Sequence, residues 1–378
     1  MKEFRNYHMI YPKEFHDLHE NKNMHRNRKK DRTNHSPLIT HKEYEQLDYI
    51  AKIEGYYQDI NNLIPLNDLN YLTSENNEFC IKTIGDNIDK YKKSFKKSTI
   101  DKMFFSSGIL IFSEQYTKEV KGGEQNETII TYSIKIGIAN SNGNEIQYFS
   151  CDTHNRPHDF YFCDDVIISV GRNSIELFKF NISQLSKISE IKLNDNNNND
   201  NNDDKYNILC IERANDKIIC GHASGHISIW QPINEYPYLK NTSVSRIHLG
   251  PINKIIYEKN SDNLNTIISC SSDKTVKVHS IEDTICLKIL QFKDEVLDIK
   301  KALDFNKQVN YLISLKNGII KVYNALFKKV FGIPCQLNKY RLAINIYNNN
   351  NSYILISERN KVKIYKWKNI ENNRLYQN

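Results

Sequence analysis

The sequence lacks the short motifs that announce common chemistries. It has no Gly-x-Ser-x-Gly elbow, no His-Glu-x-x-His pair, no Gly-Lys-Ser/Thr phosphate loop and no nicotinamide-binding fingerprint. The usual nucleophilic, zinc-hydrolytic and nucleotide functions therefore have no warrant here. Its eight cysteines (Cys80, Cys151, Cys163, Cys210, Cys220, Cys270, Cys286 and Cys335) are scattered singly, none at the short spacing of a zinc knuckle or a redox dithiol. Cys220 and Cys270 fall inside predicted strands, where a free thiol acts as a small core side chain, and a reducing compartment fits best. No run of about 18 apolar residues occurs, and Met1 to Ile10 carries charged and polar residues instead of a long apolar core. The expectation is a soluble protein of the cytoplasm or nucleus, away from membranes.

The 378 residues suffice for one large all-β domain with an extension. With 39% hydrophobic and 26% charged residues the chain can pack a core, while a mean hydropathy of -0.62 points to very polar loops. Asparagine concentrates at 194–202 and 348–351, where a run of amides offers nothing to bury. The net charge of +7 is uneven. Arg26, Arg28, Lys29, Lys30 and Arg32 form one basic run, and Lys90, Lys92, Lys93, Lys96 and Lys97 another, whereas Asp200 to Asp204 is acidic. Such basic runs serve nucleic acid, an anionic surface or an import receptor, or are simply solvated.

Residues 1–76 read as a basic, His- and Asn-rich extension, much of it expected to be disordered. Its histidines, His8, His16, His19, His25, His35 and His41, match no ligand spacing, and no metal is expected. Over 41–63 the apolar residues Tyr44, Leu47, Ile50, Ala51 and Ile53 recur at helical intervals and predict a helix that Pro65 ends. That helix would dock on the protein's own rim or be offered to a partner. Glu78 to Ile84 alternates as a single strand outside any hairpin.

From there a hairpin recurs. Thr266 to Ser280, Ile218 to Gln231, Leu312 to Asn324 and Ile354 to Lys366 each run from an apolar strand through a polar turn to a second strand. Each second strand closes on an aromatic or imidazole residue: Trp230, His279, Tyr323 and Tyr365, spaced by about 49, 44 and 42 residues. Val166 to Phe180 follows the same pattern with Phe178. With this hairpin and period the chain resembles the WD-repeat family of β-propellers. The resemblance implies an all-β propeller over 77–378. Six blades are readable (about 98–151, 154–192, 206–247, 248–290, 292–332 and 334 to the C-terminus). A seventh would have to be built from Tyr44 to Lys97, so six and seven both stand. It also implies that strand 78–84 closes the ring, and the Asn/Asp-rich segment 194–205 falls in a loop between blades, where added length costs little. The Gly122-Gly123 pair reads as a hairpin turn.

In that family a His before the first strand, a Ser or Thr in the second, an Asp in the turn and a Trp in the third are linked by hydrogen bonds. The resemblance places His248, Ser269, Asp273 and, at the Trp position, His279 in these roles. Elsewhere the Asp position holds Ser224, Asn317 or Arg359, while Trp230, Tyr323 and Tyr365 keep the closing position. A Phe-Arg-Arg-Gly motif, which gives some propellers phosphoinositide binding, is absent. The expected function is a non-catalytic protein-interaction scaffold or adaptor in a multiprotein complex, with no cofactor, metal, catalytic residue or small-molecule substrate. The alternative is a nucleic-acid-associated propeller in ribosome assembly, RNA processing or chromatin work, using the basic runs. A weaker alternative is an enzyme with its site in the central channel, whose sign would be polar residues converging there.

Overall fold

In the computed structural model, which describes residues 47–368 apart from short stretches of turn and loop (the longest 140–145, 194–206, 260–264 and 336–342), the hairpins assemble into seven four-stranded antiparallel sheets. Strand β1 (Leu47–Ile53) comes first and is used last. Blade one contains β2 (Asn62–Pro65), β3 (Asn70–Glu75), β4 (Glu78–Thr83) and β5 (Tyr91–Ser94). Blade two contains β6 (Ser98–Ser106), β7 (Ile109–Gly122), β8 (Gln125–Ala139) and β9 (Ile146–Thr153). Blade three has β10 (Pro157–Cys163), β11 (Val166–Gly171), β12 (Ser174–Asn181) and β13 (Gln184–Lys192). Blade four has β14 (Ile208–Ala214), β15 (Lys217–His222), β16 (His226–Pro232) and β17 (Leu239–Arg246). Blade five has β18 (Ile252–Lys259), β19 (Asn265–Ser271), β20 (Thr275–Ser280) and β21 (Cys286–Gln291). Blade six has β22 (Val296–Leu303), β23 (Val309–Leu315), β24 (Ile319–Asn324) and β25 (Lys329–Pro334). Blade seven joins β26 (Ala343–Asn348), β27 (Asn351–Glu358) and β28 (Lys361–Trp367) to β1, in the order β1-β28-β27-β26.

The second strand of a blade is buried on both faces, which is why it reads as an apolar run instead of an alternation. Its two faces feed two grooves, and the seven grooves between neighbouring blades hold seven separate hydrophobic clusters. The innermost strands stand side by side around the ring, with β2 flanked by β26 and β6. Closure removes the end blades that an open stack would expose.

The closing residues gain a physical meaning. Phe178, Trp230, His279 and Tyr323 each follow a register shift between third and outer strands, and Tyr365 faces one between Tyr49 and Ala51 of β1. A bulge adds one residue to the outer strand and sharpens its twist. Phe178, Trp230 and Tyr365 fill the groove toward the preceding blade.

Three expectations from the sequence need correction. The helix over 41–63 is absent among the described residues; β1 and β2 lie there instead, and 41–46 falls outside them. The bulge at Ile50 explains the helical spacing. Before it Leu47 faces the groove with blade six, and after it Ile53 faces the groove with blade one, so an alternating strand acquires helix-like spacing. Strand 78–84 neither stands alone nor closes the ring: β4 is the third strand of blade one, and β1 closes the ring on β28. Its partner β3 escaped notice because Thr73, Ser74 and Glu75 are buried polar residues. Asn62 Nδ2 donates to Ser74 Oγ (2.8 Å) and Glu75 Oε2 accepts from the Gln58 N–H (3.0 Å), satisfying part of that interior. The propeller therefore begins at Leu47, not at residue 77, and has seven blades. The segment 194–205 lies outside the described residues, between β13 of blade three and β14 of blade four.

Candidate functional site

Blade five carries a buried polar chain. His248 precedes β18, Ser269 sits in β19 and Asp273 in the turn before β20. The His248 Nδ1 lies 2.9 Å from Asp273 Oδ2, and its Nε2 2.9 Å from Ser269 Oγ. A carboxylate only accepts, so Nδ1–H donates to Asp273 and Nε2 accepts from the Ser269 hydroxyl. Burial lowers the His248 pKa against the pull of Asp273, keeping the ring neutral at pH 7. Burial pushes the Asp273 carboxyl up, but the Thr275 hydroxyl, the Leu249 N–H and His248 outweigh it, and it ends below the usual range.

Ser, His and Asp stand here in the bonding order of a hydrolytic triad. Their placement denies that use: Ser269 is fully buried and His248 nearly so, and no substrate carbonyl can reach Oγ. The chain instead staples turn to strands. It also ties two blades, because the Ile247 and His248 N–H groups both donate to the Gly225 carbonyl in the blade-four turn. Gly225 has φ +81°, and a Cβ there would meet the His248 oxygen at 2.3 Å. Only glycine fits.

His279, expected at the fourth place, does not join. It is buried, its Nδ1 has no hydrogen-bond partner among the described residues, and burial followed by the nearby His248 pushes its pKa down to about 4. Trp230 does enter a chain, but with residues the sequence did not suggest: its Nε1–H donates to Ser228 Oγ (2.8 Å), which lies 2.7 Å from His222 Nε2. Tyr323 packs edge-on against Phe292 and Tyr365 against Tyr49.

Charges also converge from the innermost strands. Lys254 of blade five places Nζ 3.0 Å from Asp159 Oδ2 of blade three. Asp159 also accepts the Ile211 N–H of blade four at 3.3 Å. Asp159, Cys210 and Lys254 each follow a bulge in their strand, at equivalent positions of three successive blades. Burial pushes the Glu212 carboxyl up to about 7, with Lys254 opposing. Lys254, Asp159 and the Ile211 N–H thus satisfy one another across three blades.

A cavity of about 500 Å³ opens on blade two, lined by Phe95, Glu114, Tyr116, Ser133, Lys135 and Asp152, among others. It exists because β5 has four residues where β7 and β8 have fourteen and fifteen, leaving the polar face of blade two uncovered. Its charges are already engaged: Glu114 with Lys135 and Ser98, Asp152 with the Tyr116 hydroxyl.

The first basic run, Arg26, Arg28, Lys29, Lys30 and Arg32, lies outside the described residues. In the second, Lys92 pairs with Glu78 (2.6 Å), Lys90 bonds Asn70 Oδ1 (3.2 Å) and Lys93 sits over the Tyr148 ring. Among the described residues no group of His, Cys, Asp or Glu is arranged to hold a metal ion, and no helix is long and apolar enough to cross a membrane.

The outer surface shows the opposite character. Ile285, Leu287 and Ile289 in and beside β21, Leu326 in the next blade, and the Tyr236–Tyr238 pair are large apolar side chains in water.

No model of a protein family matches the sequence, and no curated protein does. Solved structures do match. The chain is similar to the WD40 β-propeller domain of Doa1, with a TM-score of 0.61 and 14% identity over 84% of this chain and 96% of that one. At that identity the likeness is one of fold: an all-β, seven-bladed propeller of the WD40 type.

Proposed function

We propose that this protein is a non-catalytic interaction scaffold or adaptor that holds partner proteins in a multiprotein complex of the cytoplasm or nucleus. A WD40-type propeller supports such a role in general, being a stiff frame with many exposed loops and strand edges. The observation that carries the reading for this chain is the contrast between interior and rim. Inside, His248, Ser269, Asp273, Lys254 and Asp159 bond one another and are spent on holding blades together. Outside, large apolar side chains gather at blade five, where nothing in the chain covers them among the described residues. The engagement of Lys90, Lys92 and Lys93 within blades one and two leaves the nucleic-acid alternative resting on Arg26 to Arg32 and on Lys96 and Lys97, which lie outside the described residues.

The test is affinity purification of the tagged full chain at mild salt, read by mass spectrometry. Reproducible recovery of the same partner proteins is expected. Recovery of the chain alone would overturn the reading.

A further inference from the structure

The outer strand of every blade is a sheet edge, and natural edges are blunted by charge. Strand β5 has Lys92 and Lys93, and β17 exposes Lys240, Asn241 and Thr242 with a single large apolar residue, Val244. Strand β21 differs. It reads Cys-Leu-Lys-Ile-Leu-Gln, and with Ile285 just before it leaves three large apolar residues exposed: Ile285 57%, Leu287 48% and Ile289 51%. Its one lysine is turned aside. Lys288 Nζ donates to the Leu326 carbonyl at 2.7 Å and lies over the Phe327 ring, so it covers blade six instead of guarding the edge.

The backbone is open as well. The Phe292 N–H bonds the Lys274 carbonyl, and the register continues through Leu290 with Val276 and Lys288 with Val278. Alternation then turns the N–H and C=O of Ile289 and Gln291 outward, where β21 ends its sheet. Lysines predominate along this edge, and the acid Asp283 meets its start, its Oδ1 accepting the Ile285 N–H at 3.2 Å. Lys274, Lys277, Lys288 and Lys328 border this edge, and none has an ion-pair partner among the described residues. Burial and then the charge of Lys328 push the Lys288 pKa down. The acids Glu282 and Asp283 lie beyond Ile285, with Glu282 held by Asn265 and Ser280.

Resting on the scaffold reading, we propose that β21 accepts an extended segment of a partner protein as a fifth strand of blade five, one in which apolar and acidic residues alternate. Outward backbone groups supply the ladder, Leu287 and Ile289 take the apolar side chains, and the exposed Lys274 and Lys328 select the acids.

The experiment selects displayed random peptides of about ten residues on the full chain and measures the winners by fluorescence anisotropy. Wild type is compared with the Leu287→Lys/Ile289→Lys double variant, its fold checked by circular dichroism. Enriched peptides are expected to alternate apolar and acidic residues and to bind the double variant at least about tenfold more weakly. The same loss on wild type is expected when alternate peptide amides are N-methylated, a readout that does not depend on the variant folding. Selection of another chemistry, or binding indifferent to both changes, overturns the proposal. So does a wild-type dimer in sedimentation that the double variant dissociates, since β21 would then pair with a second copy. Peptides that bind tightly away from β21 sink this proposal alone and leave the scaffold reading standing, whereas failure to select any binder counts against both.

Discussion

Lys254 and Asp159 form an ion pair at 3.0 Å that joins the innermost strands of blades five and three past blade four. Each side chain is only about one fifth exposed (21% and 20%), so neither charge has full solvation to fall back on. Replacing one partner strands the other. Lys254→Met is expected to lower unfolding free energy by about 2–3 kcal/mol in denaturant titration, and Lys254→Met with Asp159→Asn to recover part of it. Equal stability of all three proteins would show that the pair holds nothing.

Glu212 gives the propeller a pH signature. Its folded pKa is raised to about 7, chiefly by burial, so the folded protein keeps a proton that the unfolded chain releases near pH 4.5. The sign follows: this group favours folding most below about pH 4.5, and that contribution is lost as pH rises toward and through 7. Glu212→Gln should match wild type at pH 4.5 and exceed it by about 1–3 kcal/mol at pH 8. Thermal melts across that range would contradict the assignment if the gain were largest in acid.

Asp273 holds four donors: the Leu249 N–H, the His248 ring, and the backbone N–H and hydroxyl of Thr275. Asp273→Ala leaves them without a partner in a mostly buried turn and should cost about 1–3 kcal/mol. Wild-type thermal stability in that variant would mean the turn is not held by this chain.

Ring closure rests on β1. Leu47 is buried among Trp367, Tyr365 and blade-six residues, whereas Ile50, at the bulge, is 45% exposed. Leu47→Ala should therefore destabilise by about 2–4 kcal/mol while Ile50→Lys stays within about 0.5 kcal/mol. Denaturant midpoints that ranked the two the other way would place the closing strand elsewhere.

How much was legible follows from which forces leave a mark on one chain. Hairpins such as 266–280 were visible because their second strands are buried on both faces and their turns polar. Blade one was not, because β3 buries Thr73, Ser74 and Glu75, which a search for apolar runs passes over. Strand β1 was misread because its bulge flips the buried face midway. The His248–Ser269–Asp273 chain came from family pattern, while Thr275, two residues beyond Asp273, completed it unannounced. Partners two blades apart, such as Lys254 and Asp159, leave no local trace, since only ring closure brings them together.

The central claim is that this propeller works by holding other proteins, and the most direct measurement is the size of the protein in a gently prepared native extract. Gel filtration followed by immunodetection should find it eluting well above its 44.4 kDa chain mass, and shifting toward that mass only when salt or detergent dissolves assemblies. Elution at the monomer position under mild conditions, in every fraction where the protein appears, would contradict the account.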